Sequence, residues 1–191
     1  IYGMGIDPRI GSNYMQPGPG FGGPCLEKDL MALVELGNFY DLESTFMKAI
    51  LKRNERQVEL ILDKITSEIK QAGSLITVLG LSFKANTDDI RNSASIKLIN
   101  LLLKKGYKVN SYDPKAKYSL QKENYLQFDN LYSSLNKSKC AVIMTEWDDF
   151  KNLNFIKISK LMTSNIILDM RNIIDTGNKN LSDFKYYSLG S

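Results

Sequence analysis

The sequence predicts an α/β protein: a helical region with a long connecting helix over residues 1–73, then a doubly wound parallel sheet over residues 74–191. Three observations predict it. "SLITVLGL", "KCAVIMT" and "NIILDM" are apolar runs of strand length, the pattern of strands buried on both faces. Amphipathic helical stretches alternate with them, as in βαβ units. From Leu42 to Ala72, apolar residues keep a 3.6 period for longer than a small domain can wrap.

Taken in order, residues 1–24 read as loop, with "DPRIG" and "QPGPGFGGP" as punctuation. Residues 25–36 read as a helix with Leu26, Leu30, Leu33 and Val34 at helical spacing. Glu27 and Asp29 sit in its first turn, where the dipole favours acids, and Gly37 reads as its stop. The long helix follows on Leu42, Phe46, Ile50, Val58, Ile61, Ile65 and Ile69, with the wholly polar "KRNERQ" at its middle. About 30 residues span ~45 Å, so this helix should connect two domains, pair with a second copy of itself, or do both. Then come a strand at Ser74–Leu81, a helix at Ser93–Gly106 with a serine cap and glycine stop, and strands at "YKVNSYDP" and Lys139–Thr145. A short helix at "FIKISKLM", a strand at Asn165–Met170 and a closing strand at "KYYSLG" complete the chain. The domain boundary falls near Gly73.

Composition excludes several chemistries. The 191 residues are 43% apolar and 24% charged, ordinary for a globular chain. The net charge of +4 is mild and spread along the chain, so nucleic acid is not an expected partner. No run reaches the ~18 apolar residues of a membrane span. Ile1-Tyr2-Gly3 shows no secretory leader, and a cytoplasmic protein is expected. Two cysteines and no histidine leave no ligands for a Cys/His metal site and no imidazole for Ser-His or Cys-His catalysis. No metal is therefore expected.

Two stretches carry chemistry. Gly18-Pro19-Gly20-Phe21-Gly22-Gly23 formally satisfies G-x-G-x-x-G. A dinucleotide loop must follow a buried strand and open a helix, with an acidic residue about 20 positions on at the end of the next strand, but "IGSNYMQP" is no buried strand, and helix rather than strand lies downstream. The loop reads better as a mount for Cys25. Glycines allow positive φ and close approach to a ligand, and the exposed N–H groups at a helix start favour a thiolate. Lys28, one turn on, offers a cation on the same face. Cys140, inside "CAVIM", reads as a core residue. The second stretch, "GLSFKANTDDIR", leaves the carboxyl end of the first strand, where open α/β sheets bind ligands. Phe83 offers a ring face for a base, and Lys84 and Arg91 offer charge for phosphates. The residues alone fit an ordinary polar loop equally well.

Together "GFGGPCLEKD", "GLSFKANTDDIRNSAS" and "YDP", with "IDPRIG" and "TEWDDF", resemble the UDP-glucose 6-dehydrogenase/GDP-mannose dehydrogenase family. The resemblance covers the whole chain. It implies the family's central dimerisation region followed by its Rossmann-like UDP-sugar domain, with the NAD-binding domain outside these residues and no turnover from this part alone. The implied activity is NAD-dependent four-electron oxidation of UDP-glucose to UDP-glucuronate through a cysteine thiohemiacetal and thioester. GDP-mannose or another UDP-sugar is the alternative substrate, and a non-catalytic nucleotide-sugar-binding dimerisation module is the alternative role. The resemblance further implies Cys25 and Asp29 as catalytic, and Lys28 and Arg91 as NAD contacts. Tyr14, Gln16, Gly20, Phe83, Lys84 and Arg171 would be substrate contacts, with Arg9 reaching the site of a neighbouring subunit in a homodimer or larger homo-oligomer. The chain departs from the family at Gln16, where a basic residue is common, and at Arg171-Asn172, where paired arginines are common.

Overall fold

The structure is a computed structural model that describes residues 2–190, the side chains of residues 13 and 14 excepted. The elements run α1 (Tyr2–Gly5), a 3-10 turn (Ser12–Met15), α2 (Leu26–Phe39), α3 (Thr45–Glu68), β1 (Leu75–Leu79), α4 (Ala94–Lys104), β2 (Lys108–Tyr112), β3 (Tyr125–Phe128), α5 (Leu131–Ser134), β4 (Cys140–Ile143), α6 (Asp148–Lys151), α7 (Phe155–Leu161), β5 (Ile166–Asp169), a 3-10 turn (Lys179–Asp183) and β6 (Lys185–Ser188). The expected doubly wound sheet is present. Six strands stand in the order β3-β2-β1-β4-β5-β6, every neighbouring pair parallel.

The strand sequences explain why both faces are covered. Ile76 and Val78 of β1, Cys140 and Val142 of β4, and Leu168 of β5 pack on one side with Leu98, Ile99 and Leu102 of α4. The intervening Leu79, Ala141, Ile143 and Ile167 pack on the other side with Phe155 and Ile158 of α7. A period of two thus splits each apolar run between two cores. Cys140 is fully buried, and burial pushes its thiol well above the usual range, as its core role requires.

Helix α4 is bounded as expected. The Ser93 hydroxyl accepts from Ser95 N–H at 3.2 Å, and Gly106 follows with φ 83°. Helix α3 is shorter than its apolar period, with 24 residues and ~36 Å of rise. Its two halves differ. Val58, Ile61, Leu62 and Ile65 join the α4 side of the core, whereas Phe46 stands 72% exposed. Met31, Leu36 and Phe39 of α2 are also exposed.

Three expectations need correction. Residues 1–24 are not all loop, since α1 and a 3-10 turn form there. No element is expected between "YKVNSYDP" and Lys139, yet β3 and α5 form there; β3 is an edge strand in which only Tyr125 is buried, so no apolar run announced it. Gly37 does not stop α2, which continues to Phe39. It is a packing glycine: a Cβ there would stand 2.0 Å from Ser44 Oγ. Gly37→Ala is expected to cost up to about 2 kcal/mol, overpacking of about 1–3 kcal/mol being offset by about 1 kcal/mol of helix propensity. Ser44→Ala in the same chain should recover most of that loss, read as thermal midpoints of the two variants.

Candidate functional site

The chain winds from β1 outward to β3, returns, and winds the other way from β4 to β6. The reversal opens a crevice at the carboxyl ends of β1 and β4, where such sheets bind ligands. A cleft of about 920 Å³ lies there. Its walls come from the glycine loop (Gln16, Gly20), the loop after β1 (Phe83, Lys84), the turn after β4 (Glu146) and the turn after β5 (Arg171).

Two buried carboxylates hold the loops that wall the cleft. Asp113, just past β2, accepts from Leu81 N–H (2.7 Å), Ser82 N–H (3.0 Å) and Trp147 Nε1–H (3.2 Å) on one oxygen, and from Lys115 and Ala116 N–H on the other. It thereby ties the loop carrying Phe83 and Lys84 to the turn after β4. Asp169, at the end of β5, accepts from the N–H groups of Arg171, Ile173 and Ile174. Gly80 makes the close approach possible. Its φ is 90°, and a Cβ would stand 2.5 Å from Thr145 Cβ.

Arg171 is held by the protein on several sides. Its Nε donates to Met144 O at 3.0 Å and lies 3.1 Å from Glu146 Oε2, while Nη2 donates to Phe83 O at 3.2 Å. Burial lowers its pKa from the usual guanidinium range and Glu146 opposes that shift. Its Nη1 lies 2.7 Å from where a Cβ on Gly18 would stand. The sheet and the glycine loop therefore meet at this side chain. Glu146 Oε1 accepts from Ala85 N–H at 3.2 Å. Neither Glu146 nor the Asp113 network was named by sequence reasoning, although both lie in stretches it quoted, "TEWDDF" and "YDP".

The glycine loop ends at the start of α2. Cys25 is the N-cap residue, one position before the helix, and is exposed. Its carbonyl accepts from Asp29 N–H at 2.8 Å. Lys28 and Asp29 are exposed, 3.7 Å apart. Glu27 turns back to Lys97 of α4 at 3.6 Å, which fixes this end of α2 against the sheet domain. Arg91 is exposed and bidentate with Asp89. Those hydrogen bonds hold its pKa above the usual range, with a small contribution from the nearby Cys25 sulfur.

The cleft therefore gathers Gln16, Gly20, Phe83, Lys84 and Arg171, and Cys25, Lys28, Asp29 and Arg91 stand outside its lining. Phe83 is not simply a free stacking face, since its ring lies about 3 Å from the Cβ position of Gly23 and so supports the loop. Arg9 is exposed and paired with Asp7 at 2.6 Å, away from the cleft lining. The expectation for Tyr14 falls on a side chain outside the described residues. Among the described residues no cluster could hold a metal ion, and no helix is long and apolar enough to cross a membrane.

A crevice at the carboxyl ends of a parallel sheet, holding the fixed cation of Arg171 and bordered by a glycine loop that leads to an exposed thiol, is the ligand-binding arrangement of open α/β proteins. The family comparisons narrow this. The model of the UDP-glucose/GDP-mannose dehydrogenase family, UDP binding domain, matches residues 77–176, and that of the same family's central domain matches residues 1–56. The chain belongs to this family. It is 38% identical over 195 residues to the UDP-glucose 6-dehydrogenase of Rickettsia conorii, covering 99% of this chain and 45% of that protein. It is 30% identical over 192 residues to UDP-glucose 6-dehydrogenase TuaD of Bacillus subtilis, covering 98% of this chain and 42% of that protein. Among solved structures, a UDP-glucose dehydrogenase from Pyrobaculum islandicum superposes with TM-score 0.80 at 28% identity, covering 98% of this chain and 41% of that one. A GDP-mannose dehydrogenase from Pseudomonas aeruginosa gives 0.73 at 25% identity, covering 95% and 42%. The chain thus spans less than half the length of the relatives it matches.

Proposed function

We propose that this chain is the nucleotide-sugar half of an NAD-dependent UDP-glucose 6-dehydrogenase, with Cys25 as its nucleophile. One observation carries the reading. Gly18, Gly20 and Gly22 line the cleft, and three residues beyond Gly22 the same loop presents the exposed Cys25 at the N-terminus of α2. A sugar nucleotide in the crevice would set its diphosphate near Lys84 and Arg171 and its sugar under the glycine loop. We place the division between the two functional regions near Gly73, between α3 and β1.

In the proposed reaction the C6 alcohol is first oxidised to an aldehyde. The Cys25 sulfur adds to that carbon, the C=O pair moves to oxygen, and the oxygen takes a proton, giving a thiohemiacetal. Loss of hydride from this carbon, together with loss of the proton from its hydroxyl to solvent, gives a thioester. Water then breaks the C–S bond, releasing the carboxylate and restoring the thiol. Asp29, one turn into α2 from Cys25, is our candidate for directing that water. An aldehyde is electrophilic enough for a thiolate without an imidazole, which suits a chain with no histidine.

NAD supplies the hydride acceptor for both oxidations. Toward it, Lys28 presents an exposed ammonium at a helix N-terminus, a fit for a phosphate. Arg91 fits only if it leaves Asp89. The apolar face of α2 and the first half of α3 supports burial against a second copy, and a cytoplasmic setting suits these substrates. The full-length protein, given NAD+ and UDP-glucose, is expected to form two NADH per sugar consumed. Turnover of GDP-mannose instead would move the substrate, and no NADH from any nucleotide sugar would overturn the reading.

A further inference from the structure

Resting on the reading of Cys25 as the nucleophile, we propose that Asn54 is a positioning residue that aligns the thiol by holding the glycine loop against α3. Asn54 lies in the polar middle of the long helix, where a solvated side chain is the ordinary expectation. It is instead buried, 9% exposed, and its amide faces the backbone of Phe21. Nδ2 donates to Phe21 O at 2.9 Å, and Oδ1 accepts from Phe21 N–H at 2.8 Å. The two bonds reproduce the pairing one strand residue makes with another, and they require an amide, since only an amide offers a donor and an acceptor side by side.

The neighbouring residues are fitted to this contact. Gly20 has φ 107°, and a Cβ there would stand 2.5 Å from Asn54 Oδ1. On its other side the loop is tied to the sheet domain: Gly23 N–H donates to Arg91 O at 2.9 Å, and Asn92 Nδ2 to Gly23 O at 3.4 Å. The segment leading to Cys25 is thus suspended between α3 and the loop after β1. Phe21 and Gly23 are its two anchor points, and Cys25 follows two residues later. Loss of the Asn54 tie leaves one anchor, so the sulfur can drift, and the cleft wall that Gly20, Phe21 and Gly22 supply loosens with it, while Lys84 and Arg171 keep their places.

Single-turnover kinetics of the full-length protein test this with Asn54→Asp, which keeps the shape and loses the donor, and Asn54→Ala. Misplacement of a reacting group by about 1 Å can cost about 10²-fold. The expected result is a second hydride transfer slowed about 10- to 100-fold in both variants, with the first phase at saturating UDP-glucose slowed less than about threefold and the KM raised, because Gly20 and Phe21 also line the cleft. A merely structural role would lower both phases together, in proportion to the folded fraction measured by circular dichroism. Equal loss in both phases, or no loss in either, overturns the proposal. Cys25→Ser run alongside separates the two readings. If it loses the second phase while the Asn54 variants keep it, only the positioning role fails. If it keeps the second phase, the assignment of Cys25 itself fails.

Discussion

Cys25→Ser in the full-length protein is expected to cut steady-state formation of the sugar acid by on the order of 10³-fold or more, the scale of losing a covalent nucleophile. The change is nearly isosteric, and Cys25 is exposed at a helix start, so folding should be unaffected. A serine hydroxyl at the same place is barely ionised near neutral pH, and an ester is a poorer acyl donor to water than a thioester. Both steps that use the sulfur therefore slow, while the first oxidation, which does not, continues. The stoichiometry should change with the rate: NADH per sugar falls from two toward one, and an aldehyde-level product becomes trappable by hydroxylamine. A variant that still forms two NADH per sugar at the original rate would remove Cys25 from the mechanism.

That expectation rests on residues legible in the sequence. The glycine loop, Cys25 and the charged turn after it are contiguous, so local rules suffice to place them at a helix start. Strands β1 and β5 were equally legible, since burial on both faces makes "LITVL" and "IILD" apolar apart from Thr77 and Asp169. What the sequence concealed depends on contacts between distant segments. Gly37 has the local signature of a helix stop, and only the approach of Ser44 shows that it is a spacer. Asn54 is one polar residue among six in "KRNERQ", and its partner lies 33 residues away. One local signal was available: asparagine is a poor helix former in the middle of a helix, so a mid-helix asparagine raises the question of what its amide bonds. Arg171 was named as a substrate contact, but its bonds to Met144 O and Phe83 O, which make it a strut between loops, could not be inferred from spacing.

Asp113→Ala is expected to be among the most destabilising single changes in the sheet domain. The side chain is buried, 3% exposed, and gathers four backbone N–H groups, the Ser82 hydroxyl and the Trp147 indole N–H. Truncation leaves these donors without their acceptor. Each unsatisfied buried group costs about 1–3 kcal/mol, and because water can enter part of the space the sum is not additive. A loss of about 3–5 kcal/mol is expected, as when one partner of a buried charged network is removed. Asp113→Asn separates charge from shape. An amide keeps one acceptor oxygen but turns an NH₂ toward N–H donors on its other side, so at least two of the bonds are lost. It should fall between wild type and alanine in the midpoint of urea unfolding of the full-length protein. The damage should also reach the cleft. Leu81 and Ser82 lead directly into Phe83 and Lys84, so folded Asp113→Asn protein should show a KM for UDP-glucose raised about tenfold, the effect of about 1.4 kcal/mol of lost binding. Its second hydride transfer should be unchanged relative to its first, because the glycine loop keeps its tie to Asn54. The two polar anchors would then have different kinetic signatures, Asp113 acting on binding and Asn54 on the thiol step as well. A kcat loss in Asp113→Asn confined to the second phase would contradict that division.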